Sequence, residues 1–149
     1  MQPSNESSDR PAPRPPLKIA AAQIEGLPGQ LDKSVAIHAK IVREASQKGV
    51  RLVVFPELSL PSYCSTELQE SPEDGCVIDL EDPRLGPIRE ACQETKTVAI
   101  LGAAVRHRGA RGLAAPICSR DGNWAPTYVK QYLADEENDF FTPGDQGLL

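Results

Sequence analysis

The sequence predicts an α/β fold, and three observations carry that prediction. Short continuous apolar runs, Leu17 to Gln23, Leu52-Val53-Val54-Phe55 and Val98-Ala99-Ile100-Leu101-Gly102, read as strands covered on both faces. Between the first two, Leu31, Val35, Ala39, Val42 and Ala45 recur at helical spacing, with Ile41 beside them. A second helical stripe, Leu85, Ile88, Arg89 and Cys92, leads into the third run. Strand, helix and strand in this order make a βαβ unit, which crosses over right-handed.

The elements follow one another with clear punctuation. Residues 1–16 are polar, and Pro11, Pro13, Pro15 and Pro16 prevent helix or ladder formation, so this stretch reads as a disordered Pro/Ser-rich tail. It lacks the apolar centre of a secretory signal, which makes a cytoplasmic protein the expectation. The folded unit is expected over residues 17–149. Gly26 to Gly29 is a turn after the first strand, and Gly49 sits where the first helix needs its C-terminal cap. Pro56 cannot donate to a ladder, so the second strand should stop there, with a long loop from Pro56 to Glu81. Asp82-Pro83 is a helix start, Asp as N-cap and Pro at the first helical position. The segment from Arg106 to Arg111 reads as a loop marked by Gly109 and Gly112. Leu113 to Cys118 and Ala125 to Gln131 then read as an antiparallel pair turned at Asp121-Gly122.

Composition narrows the function classes. A chain of 149 residues, 40% hydrophobic and 25% charged, is ordinary for one globular domain. A net charge of −5 without a basic stripe argues against nucleic acid as a partner. No run approaches the roughly 20 apolar residues of a membrane-spanning helix, so no membrane partner is expected. The 4 cysteines have neither the dense pairing of a secreted disulfide framework nor a CxxC metal spacing. His38, in the helical pattern, and His107, in a turn-like stretch, have no partner at ligand spacing and read as packing or solvated residues; no metal or cofactor is expected.

Chemistry is suggested first by Pro56-Glu57. A carboxylate there lies at the C-terminal edge of a buried strand, the edge at which α/β sheets bind ligands. Further along, Tyr128-Val129-Lys130-Gln131-Tyr132-Leu133 is followed by Glu137 and by Phe140-Phe141-Thr142-Pro143-Gly144. Together these segments resemble the nitrilase superfamily of carbon–nitrogen hydrolases, and the resemblance runs from Leu17 to Leu149. Lys18-Ile19-Ala20-Ala21-Ala22-Gln23 is similar to the family's opening strand. Val53-Val54-Phe55-Pro56-Glu57 resembles the strand that carries its catalytic glutamate. Asp121-Gly122 with Tyr128-Val129-Lys130 resembles the hairpin that delivers its catalytic lysine. The order and spacing match as well as the motifs.

The resemblance implies the N-terminal part of the nitrilase-type α-β-β-α sandwich, truncated. It also implies hydrolysis of a small-molecule amide or nitrile through a thioester, with a Glu-Lys-Cys triad. Glu57 would be the general base, Lys130 the oxyanion stabiliser, and Glu137 a further glutamate that orients lysine or substrate. For the full-length family it implies a homo-oligomer. Gln131-Tyr132 departs from the family, many members of which place His just before this leucine; that bears on the substrate and not on the lysine.

The nucleophile is the missing part. In the family it follows the lysine by a few tens of residues, yet only 19 residues follow Lys130 and none is Cys. Cys118 precedes the lysine and reads as a buried strand residue. Cys64 lies in the loop after Glu57, where it could approach substrate; Cys76 and Cys92 read as structural or incidental. The expectation is a fragment without a nucleophile, inactive alone. The alternatives are a non-catalytic remnant that binds a partner or ligand, and a flavodoxin-like binding domain. Against the latter, Gly26-Leu27-Pro28-Gly29 does not fit a phosphate-binding GxGxxG. Half a sandwich would leave one sheet face or edge bare. Several hundred Å² of uncovered apolar surface forfeits roughly 10 kcal/mol, comparable with the whole stability of a domain at about 5–15 kcal/mol.

Overall fold

The computed structural model describes residues 15–62 and 77–145 of the chain. Strand β1 (Ile19–Ala21) leads to helix α1 (Leu31–Gln47), which returns the chain to β2 (Leu52–Val54). β1 and β2 pair in parallel, Ile19 opposite Leu52 and Ala21 opposite Val54, as a βαβ unit requires. The helix stops where Gly49 adopts a φ of +78°. Gly49 N–H then donates to Ser46 O at 2.8 Å and Val50 N–H to Ala45 O at 3.1 Å, satisfying carbonyls that the helix end would otherwise orphan.

The second helix starts in two stages. Asp82 accepts the Arg84 N–H at 2.8 Å and caps a 3-10 turn, Pro83–Leu85, which runs into α2 (Gly86–Thr95). Pro87 has no N–H to give the Pro83 carbonyl, so the α ladder cannot run back to Asp82; Gly86 N–H takes that carbonyl in 3-10 fashion instead.

β3 (Val98–Ile100) joins β2 in parallel and β6 (Ile117–Cys118) joins β3 antiparallel, giving the order β1-β2-β3-β6. Because alternate residues face opposite sides, Val53, Ala99 and Cys118 share one face. There they are buried with Val35, Ala39 and Val42 of α1 and Ile88, Ala91 and Cys92 of α2 in one core. The opposite face is less covered: Ile19 is 61% exposed and Val54 38%.

A second sheet has the order β4-β5-β7, all antiparallel: β4 (Ala103–His107), β5 (Ala110–Ala115) and β7 (Tyr128–Val129). Here two expectations are corrected. The loop from Arg106 to Arg111 is mostly ladder, with Arg106 opposite Arg111 and His107 opposite Ala110. The turn is only Arg108 and Gly109, both at positive φ, +51° and +79°, the geometry whose twist suits a two-residue hairpin. The expected pair of Leu113–Cys118 with Ala125–Gln131 is split between the sheets. Pro116 interrupts the first run, so the residues before it pair with β7 and those after it pair with β3. The Asp121-Gly122 turn itself stands, with Gly122 at φ +75° and Cys118 facing Trp124 across it. Among the described residues, no helix is long and apolar enough to cross a membrane.

Candidate active site

Glu57 is placed by a tight turn. After Phe55, whose N–H still donates to Ile100 O at 2.8 Å, the chain turns through residues 56–62 over the end of β3. Leu58 and Leu60 are buried and pin the turn from below. Leu58 adopts a φ of +50°, which costs a non-glycine residue about 1–2 kcal/mol. Gly102 is what lets the turn sit so close: a Cβ there would lie 2.0 Å from Pro56 O and 2.5 Å from Leu58 N. The glycine that reads in the sequence as the end of a strand is therefore a contact requirement for the Glu57 turn.

Lys130 is placed by backbone on both sides. It follows β7, donates its N–H to Leu113 O at 2.7 Å and accepts the Gly144 N–H at 2.8 Å. Its ammonium lies 3.1 Å from Glu57 Oε2 and 2.8 Å from Glu137 Oε1, so the structure brings all three residues together. Glu137 belongs to a 3-10 helix, Asp135–Asp139, and its other oxygen accepts the Ala134 N–H at 2.7 Å, the reach-back of a residue three positions inside a helix. The end of that helix is fastened to β5. Buried Arg111 donates through Nε to Phe140 O at 3.1 Å, and its carbonyl accepts the Thr142 N–H at 2.7 Å.

One cation thus serves two carboxylates; Lys130 and Glu137 are partly buried and Glu57 is exposed. The hydrogen bond to Glu137, with a further one to Glu57, holds the Lys130 ammonium above the ordinary lysine value despite some burial. Burial pushes the Glu137 carboxyl up, but Lys130 and the Ala134 N–H outweigh it and keep the group below the ordinary glutamate value. A cavity of about 330 Å³ opens beside Glu57 and Lys130, walled by Val54, Phe55, Ile100, Leu113 and Tyr128. That is the size and apolar character of a site for a small ligand oriented by a few polar groups. A larger cleft of about 730 Å³, between Ile78, Leu80, Val105 and Val129, lacks the carboxylate–ammonium group and is not the candidate site.

The described cysteines lie elsewhere. Cys92 on α2 and Cys118 on β6 are both fully buried, and neither lines the cavity. The neighbouring Cys118 thiol and burial push the Cys92 thiol up, while Cys92 beside it holds Cys118 down. Cys64 and Cys76 fall outside the described residues.

A cyanide hydratase from Armillaria gallica is 28% identical over 118 residues, covering 73% of this chain and 33% of that protein. An aliphatic nitrilase from Rhodococcus rhodochrous is 23% identical over 139 residues, covering 82% of this chain and 38% of its own length. An amidase from Nesterenkonia sp. AN1, solved with acrylamide added at its active-site cysteine, superposes with a TM-score of 0.71 at 19% identity. The match covers 87% of this chain and 50% of that amidase. The chain spans about half the length of this solved structure and about a third of the curated relatives. At this identity the superposition establishes the fold, the first half of the nitrilase-type sandwich. Residues 18–147 match the carbon-nitrogen hydrolase family, and the chain belongs to it.

Proposed function

We propose that this chain contributes the base and the oxyanion stabiliser of an enzyme that hydrolyses a small amide or nitrile, and that the nucleophilic thiol comes from outside it. The observation that carries the reading is the ammonium of Lys130 held 3.1 Å from Glu57 and 2.8 Å from Glu137 at the mouth of an apolar cavity. For an amide, the thiol sulfur attacks the carbonyl carbon while its proton passes to the Glu57 carboxylate. The oxygen that becomes anionic is met by Lys130, whose third N–H is not directed at either glutamate. Collapse expels ammonia, which takes the proton back from Glu57, and leaves a thioester. Water, deprotonated by Glu57, then releases the carboxylic acid and returns the thiol. Glu137 keeps the lysine aimed and charged throughout.

Butyramide is the amide to try, since a mutant of the Nesterenkonia amidase has been solved in complex with it. The reading is tested on the 149-residue chain by following ammonia release from butyramide. No turnover is expected, because a base and an oxyanion stabiliser without a nucleophile cannot form the thioester. Turnover that vanishes in Cys64→Ser or Cys118→Ser would show that the chain supplies its own thiol and overturn the proposal.

A further inference from the structure

His38 is a buried titratable group that the proposed chemistry does not use. It is wholly buried on α1, with its ring centroid 4.3 Å from that of Phe55, the residue two before Glu57. Nδ1 lies 2.7 Å from the carbonyl of Ser34, which can only accept, so Nδ1 carries the proton. Nε2 is then an acceptor, and the hydroxyl of Ser59 donates to it at 3.0 Å. The Ser59 oxygen accepts the Gly102 N–H at 3.1 Å, and the Ser59 carbonyl accepts from the Ser34 hydroxyl at 3.1 Å. Leu60 N–H completes the set with a bond to Gly102 O at 3.0 Å. Burial holds the imidazole below the ordinary histidine value, which favours the neutral form this pattern requires.

Three of these bonds meet at Ser59, two residues after Glu57, and the set ties the Glu57 turn both to α1 and to the exit of β3. The turn carries left-handed backbone at Leu58 and Ser62, and such conformations persist only where the surroundings over-determine them. We propose that His38 and Ser59 are positioning residues for Glu57: their hydrogen bonds lock the turn so that the carboxylate stays against the Lys130 ammonium. The assignment rests on the reading of Glu57 as the base for its purpose, though its geometry can be tested without any turnover.

The test follows the Lys130 titration by NMR of the lysine ε-carbon in the 149-residue chain, the signal being assigned by its loss in Lys130→Arg. Glu57→Gln removes Glu57's share of the upward shift. Ser59→Ala and His38→Leu are expected to lower the titration in the same direction, and to add nothing further when combined with Glu57→Gln. His38→Gln, whose amide oxygen can accept the Ser59 hydroxyl, should restore it toward the native position. Variants that lower Tm but leave the Lys130 titration native, or shift it equally in the Glu57→Gln background, would overturn the proposal and leave His38 a packing residue. If His38→Leu does not fold, Ser59→Ala, which removes one oxygen and keeps the ring, decides. Failure of the hydrolase reading is separately visible, since it would leave this titration pattern intact.

Discussion

Lys130 and Glu137 form a pair whose energetics have a definite sign in pH. Glu137 titrates below its ordinary value, so its contribution is present above about pH 4.3, the unfolded value, and is lost as pH falls through the lowered folded value. Lys130 titrates above its ordinary value, so its contribution is complete below about pH 10.4 and is lost as pH rises through the raised folded value. Both side chains keep some contact with solvent, which screens the pair and keeps the contribution small. Urea unfolding of the native chain and of Glu137→Gln should therefore differ between these limits and converge at acid pH. A difference that stays constant from pH 3 to pH 8 would contradict the pairing. At this scale the sequence was informative about identity and silent about support. Glu57, Lys130 and Glu137 could be singled out because the motifs around them are short and contiguous. Gly102, Ser59 and Arg111 could not, because their roles depend on segments between 21 and 46 residues away that only the fold brings near.

Elements were legible where a local rule decides them. The α1 stripe with Gly49, the Asp82 cap and the Asp121-Gly122 turn each rest on neighbouring residues, and each is found in place. The β4–β5 hairpin was not legible, since two arginines and a histidine in a strand pair hide the pattern of alternation, and the turn needs only Arg108 and Gly109. The split at Pro116 was missed because a proline can end a strand or pass it to another sheet, and the choice is made by Leu101, whose N–H takes the Pro116 carbonyl at 2.9 Å. Two glycines separate conformation from contact. Gly49→Ala forces an alanine into left-handed backbone with nothing within 4 Å, and should cost about 1 kcal/mol. Gly102→Ala drives a methyl group into the backbone of the Glu57 turn and should cost about 3 kcal/mol. Denaturant midpoints check both, and equal costs would argue against the close approach at Gly102.

Among the described residues, the helices layer on one face of the first sheet and leave the other less covered. Ile19 and Val54 stay exposed on that face, and the cavity beside Glu57 and Lys130 shares Val54 and Ile100 with it. The site and the uncovered surface are thus neighbours, and one complementary segment could complete both. The 149-residue chain alone should be marginally stable and prone to self-association through this face and the β1 edge. Sedimentation and calorimetry check that expectation; a monodisperse monomer with a sharp thermal transition would count against it. The central claim is met most directly by reconstitution. The chain is mixed with the C-terminal half of a related carbon–nitrogen hydrolase that carries the nucleophilic cysteine, and ammonia release from butyramide is measured. Hydrolysis should appear only in the mixture and fall at least about 100-fold with either Glu57→Gln or Lys130→Ala in this chain. Hydrolysis by the mixture that is indifferent to both substitutions would contradict the account.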